Sequence, residues 1–140
     1  MKVLIIGGVA AGTKTAAKLK REMPDAEVTI VTKGKDISYA GCGLPYYLGE
    51  VIKEKEALIV NTPEKFSNLT GANVITETEV TKVNPESKTV EALNADGETV
   101  TYEYDKLVVA TGASPIKPPL PGIDLPGVFC MRTPEDAFAA

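Results

Sequence analysis

Val3-Leu4-Ile5-Ile6 is a continuous apolar run. Such a run reads as a strand buried on both faces, as in a parallel sheet. Gly7-Gly8-Val9-Ala10-Ala11-Gly12 follows and opens a helix to about Met23, whose apolar side includes Val9, Ala16, Ala17 and Leu19. Pro24-Asp25 ends that helix, and Glu27 to Val31 is the next strand. Strand, glycine-rich turn, helix and strand within about 30 residues make a βαβ unit. Gly34 to Gly43 is rich in glycine and small residues, so it reads as loop, with a short helix from near Cys42 to about Leu48. Thr62-Pro63-Glu64 is a helix start, with Thr62 as N-cap and Pro63 in the first turn, and Gly71 closes that helix.

From Asn73 the pattern turns to β. Val74, Val80 and Val83 lead to a turn at Asn84-Pro85-Glu86-Ser87, Thr89 to Leu93 follows, and Asn94-Ala95-Asp96-Gly97 turns the chain into Thr99 to Tyr104. These are three hairpin-linked strands, an antiparallel meander over about 77–104. Leu107-Val108-Val109-Ala110 is fully apolar again and is expected to rejoin the parallel sheet. The proline-rich run from Pro115 to Pro126 reads as a connector. Thr133-Pro134-Glu135-Asp136 starts a second capped helix, but only four residues follow it. A helix that short is marginal by itself. The expectation is therefore a piece of a longer protein.

Composition narrows the chemistry. The chain has 140 residues, 44% hydrophobic and 24% charged, an ordinary globular mix with enough length for a core. A net charge of −4 argues against broad nucleic-acid binding. With no histidine, a Ser-His-Asp triad, a Cys-His pair and a His-ligated metal are all excluded within these residues. Two cysteines, Cys42 and Cys130, are too few for a disulfide framework or a cysteine-rich zinc site, and no metal is expected. No apolar run approaches the roughly 18 residues of a membrane span, and the start lacks signal-peptide features. The expected compartment is the cytoplasm, with free thiols.

The turn from Gly7 to Gly12 sits where phosphates meet a helix N-terminus, with its unpaired amides and positive dipole end. Gly7 and Gly12 take the outer glycine positions of G-x-G-x-x-G, and Val9 takes the middle one, where a side chain limits how closely a diphosphate approaches. Thr32 and Lys33 stand where a ribose-binding acid is expected, about 20 residues on. Thr32 is a neutral and weaker partner for a ribose hydroxyl. Strand before and helix after favour nucleotide binding over a plain tight junction; the motif alone leaves FAD and NAD(P) open.

Ser38-Tyr39-Ala40-Gly41-Cys42-Gly43-Leu44-Pro45-Tyr46-Tyr47 is the most informative stretch. Cys42 stands at the mouth of a short helix, between two glycines that leave room for a planar ring or a disulfide. A free cysteine is most often a small buried hydrophobe, but a glycine-rich loop favours a reactive one.

Taken in order, Gly7–Gly12, Ser38–Tyr47, the meander and Ala110-Thr111-Gly112-Ala113-Ser114-Pro115 resemble the N-terminal FAD-binding region of the flavin-dependent pyridine nucleotide–disulfide oxidoreductases. Within that family the chain is most similar to the single-cysteine branch of coenzyme A-disulfide reductases, NADH oxidases and peroxidases, and Cys42 followed by Gly43-Leu44-Pro45-Tyr46-Tyr47 is most like the coenzyme A-disulfide reductases and their rhodanese-fused relatives. The resemblance implies an α/β fold: a Rossmann-like FAD-binding domain with a parallel sheet and the inserted three-stranded meander. The domain would occupy 1–114 and be incomplete here, with 115–140 as connector and helix start leading to an absent NAD(P)H domain. It implies FAD as cofactor and NAD(P)H as co-substrate. Gly7, Gly8, Val9, Ala10, Ala11, Gly12, Thr32, Lys33, Cys42, Val80, Ala110, Thr111 and Gly112 would contact FAD, Val80 through its backbone at the adenine. Cys42 would be the single redox cysteine, because Tyr47 stands where two-cysteine members carry the second.

On the first helix Lys14, Lys18 and Arg21 are spaced to share one face. A solvated face is the ordinary explanation. The resemblance implies instead that Lys14, Lys18, Arg21 and Ser38 bind the phosphates of coenzyme A, although Gly41 and Thr70 depart from the family's substrate-contacting residues. The implied activity is reduction of coenzyme A disulfide, or a related small disulfide or persulfide, by a homodimeric parent protein, the 140 residues alone being inactive. An NADH oxidase or peroxidase cycling through a Cys42 sulfenic acid is the rival, and a non-catalytic flavin-binding electron-transfer module is the reading from another class. Cys130 has no implied role and reads as packing.

Overall fold

Val3, Leu4, Ile5 and Ile6 are all buried and form most of strand β1 (Lys2–Ile6), at the inside of a four-stranded parallel sheet. The computed structural model describes residues 1–140. Strand β1 pairs in parallel with β2 (Glu27–Val31) on one side and with β7 (Lys106–Val109) on the other. Strand β3 (Asn73–Ile75) pairs with β2 and closes the order β3-β2-β1-β7. Here the structure sharpens the sequence reading. Asn73–Ile75 belongs to the parallel sheet, and only β4 (Glu79–Asn84), β5 (Thr89–Leu93) and β6 (Thr99–Glu103) make the antiparallel meander. The two β segments part at Thr76–Thr78, where Glu77 takes a left-handed φ of 50°.

Alternation along β1 explains why its run is apolar throughout. Successive side chains point to opposite faces of a sheet. Val3 and Ile5 join Val28, Ile30, Ala16 of helix α1 (Ala11–Glu22) and Phe66 of helix α3 (Pro63–Thr70) in one core. Leu4 and Ile6 join Val31, Val90 and Tyr104 on the meander side. Each such side chain contributes about 1.5–3 kcal/mol by leaving water, so a polar residue anywhere in β1 is costly on one face or the other.

The ends of α3 follow the local rules. Thr62 Oγ1 accepts the Lys65 amide at 3.2 Å. Gly71 is left-handed, with φ 75°, and its amide bonds the Ser67 carbonyl.

Two units emerge, one of residues 1–38 with 61–111 and one of 39–60 with 112–140. The second unit contains the turn that carries Cys42, helix α2 (Leu44–Leu48) and helix α4 (Pro134–Ala139). Its small core is Leu44, Leu58 and Ala137, flanked by Tyr47, Ile52, Met131 and Phe138. Residues 111–122 are exposed and without regular structure up to the turns that follow Leu120. No helix of the chain is long and apolar enough to cross a membrane.

Candidate functional site: a phosphate cradle and an exposed cysteine

In the first unit the end of β1 is drawn into a tight loop. Gly7 has φ 106°, a conformation that side chains rarely adopt, and its amide donates to the Val31 carbonyl at 2.9 Å. A Cβ there would run into the carbonyl oxygen of Ala110. The Ala110 amide in turn donates to the Ile6 carbonyl at 2.8 Å. The structure thus brings Gly7 against Ala110, the start of the second stretch assigned to the cofactor. A Cβ on Gly12 would meet the carbonyl of Gly7, and one on Gly8 would lie 3.0 Å from Ile37 Cγ2 and 3.3 Å from Thr32 Cβ.

Helix α1 then begins without a side-chain cap and with no acidic residue in its first turn. Helices α3 and α4, in contrast, start with threonine caps and acidic first turns. The α1 amides therefore face no competing carboxylate, and the positive end of the helix is free to meet an anion. Glycine space and an uncapped helix end fit the diphosphate of a dinucleotide such as FAD. Val9 is half-buried, and its carbonyl accepts a hydrogen bond from Thr13 Oγ1. Ala10 and Ala11 are exposed at the helix mouth. Val80 packs against the core of Leu4, Ile6, Val31, Val90 and Tyr104, beside a register shift between Val80 and Lys82.

Ser38 has a left-handed φ of 50°, and its amide donates to the Gly8 carbonyl at 2.9 Å. The structure therefore ties Ser38 to the phosphate loop. Lys14, Lys18 and Arg21 lie exposed on α1, and Lys18 is paired with Glu22. Lys14 and Arg21 make no side-chain hydrogen bond or ion pair. Thr32 is buried, while Lys33 extends into solvent and meets Glu79 at 3.0 Å.

In the second unit Cys42 is exposed on a 3₁₀ turn, Gly41–Gly43. The turn is held by the Ala40 amide on the Leu58 carbonyl at 2.7 Å and by the Gly43 amide on the Ala40 carbonyl at 2.8 Å. Gly43 is buried against Leu58, whereas Gly41 has open space. The helix expected from Cys42 onward is this turn followed by the five residues of α2. Tyr47, in the position of a second cysteine, packs edge-on against Phe138 with ring centroids 5.4 Å apart. Cys130 is a half-buried free thiol.

Sequence reasoning missed Arg132. Its Nε donates to the Ala113 carbonyl at 3.1 Å, and its Nη2 lies 3.1 Å from where a Cβ on Gly112 would be. A guanidinium thus clamps the turn that follows Ala110-Thr111. The only signal in the sequence is that Arg132 is the one cation after Lys117.

Comparison with known proteins agrees with this geometry. Residues 1–140 match the family described as pyridine nucleotide-disulphide oxidoreductase. An NADH oxidase of Methanocaldococcus jannaschii is 39% identical over 139 residues, 99% of this chain and 31% of that protein. A coenzyme A disulfide reductase of Staphylococcus haemolyticus is 34% identical over 139 residues, again 99% of this chain and 31% of that protein. The structure of a NAD-dependent persulfide reductase from A. fulgidus superposes with a TM-score of 0.93 at 40% identity, covering 99% of this chain and 26% of that one. The chain thus spans about a third of the length of the curated relatives it matches. With glycine cradle, meander and cysteine turn all in place and the match running through every residue, this chain belongs to the pyridine nucleotide-disulphide oxidoreductase family, whose members use FAD with NAD(P)H.

Proposed function

We propose that this chain is the FAD-binding part of an NAD(P)H-linked oxidoreductase that reduces coenzyme A disulfide, or a related small disulfide or persulfide, through Cys42 alone. The observation that carries the reading is the exposure of Cys42 on a glycine-flanked turn, with Tyr47 engaged by Phe138 where a second cysteine would stand. Bound FAD supplies the relay that takes a hydride from NAD(P)H and delivers two electrons to a disulfide. Cys42, as thiolate, attacks one sulfur of the substrate disulfide, forms a mixed disulfide and releases the first thiol. Two electrons arriving at that mixed disulfide return Cys42 to the thiolate and release the second thiol after protonation. Gly7, Gly8, Val9, Ala10, Ala11 and Gly12 would hold the diphosphate with backbone amides, and Ala110 and Thr111, which lie against Gly7, would form the second edge of that cradle, with Gly112 next in the chain.

Coenzyme A is the favoured substrate because Lys14 and Arg21 are exposed cations without partners, on the helix that starts at the phosphate loop, and Ser38 is bonded to the loop itself. Phosphate groups suit both cations, the lysine as a point charge and the arginine as a planar fork. Residues 115–140 serve as the connector to an NAD(P)H-binding segment, and the working enzyme is a cytoplasmic homodimer. The NADH oxidase relative supports a second reading. An exposed cysteine without a resolving partner can also cycle through a sulfenic acid, with oxygen or peroxide as oxidant.

The test is turnover of the full-length protein with coenzyme A disulfide, peroxide and oxygen in turn, before and after Cys42→Ser. The proposal expects NAD(P)H-dependent release of coenzyme A that the substitution abolishes. Turnover with oxygen or peroxide alone would select the second reading. Activity untouched by Cys42→Ser would sink both and leave a flavin-binding electron-transfer module.

A further inference from the structure

Thr32 stands at the carboxyl end of β2, where this class of fold receives the adenosine ribose of a dinucleotide and where a carboxylate ordinarily accepts the 2′-hydroxyl. Threonine brings no charge, and Thr32 is nearly closed off, with its backbone groups already engaged. It is 7% exposed, its amide donates to the Ile75 carbonyl at 2.9 Å, and its carbonyl accepts the Thr78 amide at 3.0 Å. Its Cβ and Cγ2 are turned toward Gly8, each 3.3 Å from where a Gly8 Cβ would lie.

A carboxylate nevertheless reaches this corner. The turn at Thr76–Thr78 is stitched to residues 32–34 by the Thr78 amide on the Thr32 carbonyl and by the Glu77 amide on the Gly34 carbonyl at 3.3 Å. Glu79, the first residue of β4, follows at once. Lys33 Nζ holds Glu79 Oε1 at 3.0 Å, with the two side chains 74% and 49% exposed. Oε2 is left as a free acceptor. An ion pair this open adds little to stability; the backbone bonds of the Thr76–Thr78 turn are what keep Glu79 beside Lys33. Lys33 also offsets part of the Glu79 charge.

We propose that Glu79, held by Lys33, accepts the adenosine 2′-hydroxyl of the bound dinucleotide in place of the acid that Thr32 lacks. The inference rests on the FAD-binding reading above. Glu77, on the same turn but without an ion pair, is the internal control.

Binding of FAD and of its 2′-deoxyadenosine analogue to the flavin-free full-length protein, followed by flavin fluorescence, tests it without any turnover. The expected result is about tenfold weaker binding of the analogue, the effect of one hydrogen bond to a charged acceptor. Glu79→Ala should bind FAD about tenfold more weakly and no longer distinguish it from the analogue. Glu77→Ala should behave like the unaltered protein. Discrimination that survives Glu79→Ala, or that Glu77→Ala removes as fully, overturns the assignment. A full-length protein that binds neither flavin overturns the FAD reading beneath it as well, and the missing fluorescence change tells that failure from the first.

Discussion

The carbonyl oxygen of Gly7 occupies the space that a Cβ on Gly12 would need. Both atoms belong to backbone that is fixed on either side. Gly7 is pinned by its bond to Val31, and Gly12 lies in the first turn of α1 beside Ile5. A flexible side chain could move aside, but this carbonyl cannot. Gly12→Ala is therefore expected to destabilise the chain by at least the roughly 1–3 kcal/mol typical of overpacking. Urea unfolding should show a lower midpoint at unchanged slope, together with loss of flavin binding. An unchanged midpoint would mean that the loop is looser than its hydrogen bonds indicate.

The two glycines beside Cys42 should behave differently from each other. A Cβ on Gly43 would lie 3.0 Å from Leu58 Cδ2 and 3.5 Å from Ala40 Cβ and Ile52 Cδ1. These are side-chain atoms, and the end of Leu58 can give a little. Gly43→Ala should cost about 1 kcal/mol, the low end of overpacking. Gly41 has nothing closer than Tyr39 Cε2 at 3.9 Å, so Gly41→Ala should stay within about 0.5 kcal/mol of the unaltered chain. Thermal melts of the two variants, with Cys42 labelling rates as a local readout, check the contrast. Equal losses from both would show that the turn is not organised around Leu58.

Local chemistry was the part of the fold most legible in the sequence. Thr62, Pro63 and Gly71 mark the ends of α3 because caps act within four residues, and β1 is visible because both its faces are buried. That Asn73–Ile75 joins the parallel sheet was not legible. Its partner, β2, is more than 40 residues away, and the break after it falls at Glu77, which takes a left-handed φ with no glycine to announce it. Ser38 hides its bend in the same way. Cys42 and the glycine cradle could be picked out because each lies within one short motif. Arg132 and Glu79 could not, since each reaches its partner only once the chain has folded back.

Arg132 is expected to hold the Gly112–Ala113 turn in shape. Its Nε bond to Ala113 needs a planar guanidinium, which a lysine cannot reproduce. Arg132→Lys should leave global stability within about 0.5 kcal/mol, because the residue is exposed. Amide exchange at residues 112–114 should nevertheless quicken several-fold. Exchange rates unchanged at those amides would show that the turn stands without the clamp.

Tyr39 gives the second unit an alkaline limit. Burial pushes its phenol above the ordinary tyrosine value, Glu135 and Asp136 push the same way, and Arg132 opposes them. The folded chain therefore keeps a proton that the unfolded chain releases near pH 10. Stability from this group is complete below that pH and is lost as pH rises through the folded value. Tyr39→Phe should flatten the fall in stability above about pH 10 and leave the neutral region little changed. Parallel curves for the two proteins across that range would refute the assignment.

Asp136 sets the corresponding acid limit, at the start of α4. Its Oδ2 accepts the Thr133 amide at 2.7 Å and the Arg132 amide at 2.9 Å, while Thr133 Oγ1 accepts the Asp136 amide at 3.4 Å. The Thr133 amide is the main reason the carboxyl lies below its ordinary value; burial opposes it, and the Arg132 amide and the Thr133 hydroxyl add to the lowering. A depressed carboxyl contributes stability that is present above the unfolded value, about 3.9, and is lost as pH falls through the folded one. The group is only partly buried, so solvent still screens part of the gain. The cap itself is a better guide, and Thr133→Ala should cost about 1 kcal/mol. In Asp136→Asn the acid-dependent part should vanish, because an amide stays neutral and accepts more weakly. A nuclear magnetic resonance titration of the α4 amides between pH 2 and 6, roughly two units to either side of the unfolded value, separates the two effects. In the unaltered chain the Thr133 and Arg132 amides should shift together at a midpoint below the unfolded value. A midpoint at or above it would mean that neither amide stays bonded to the carboxylate in solution.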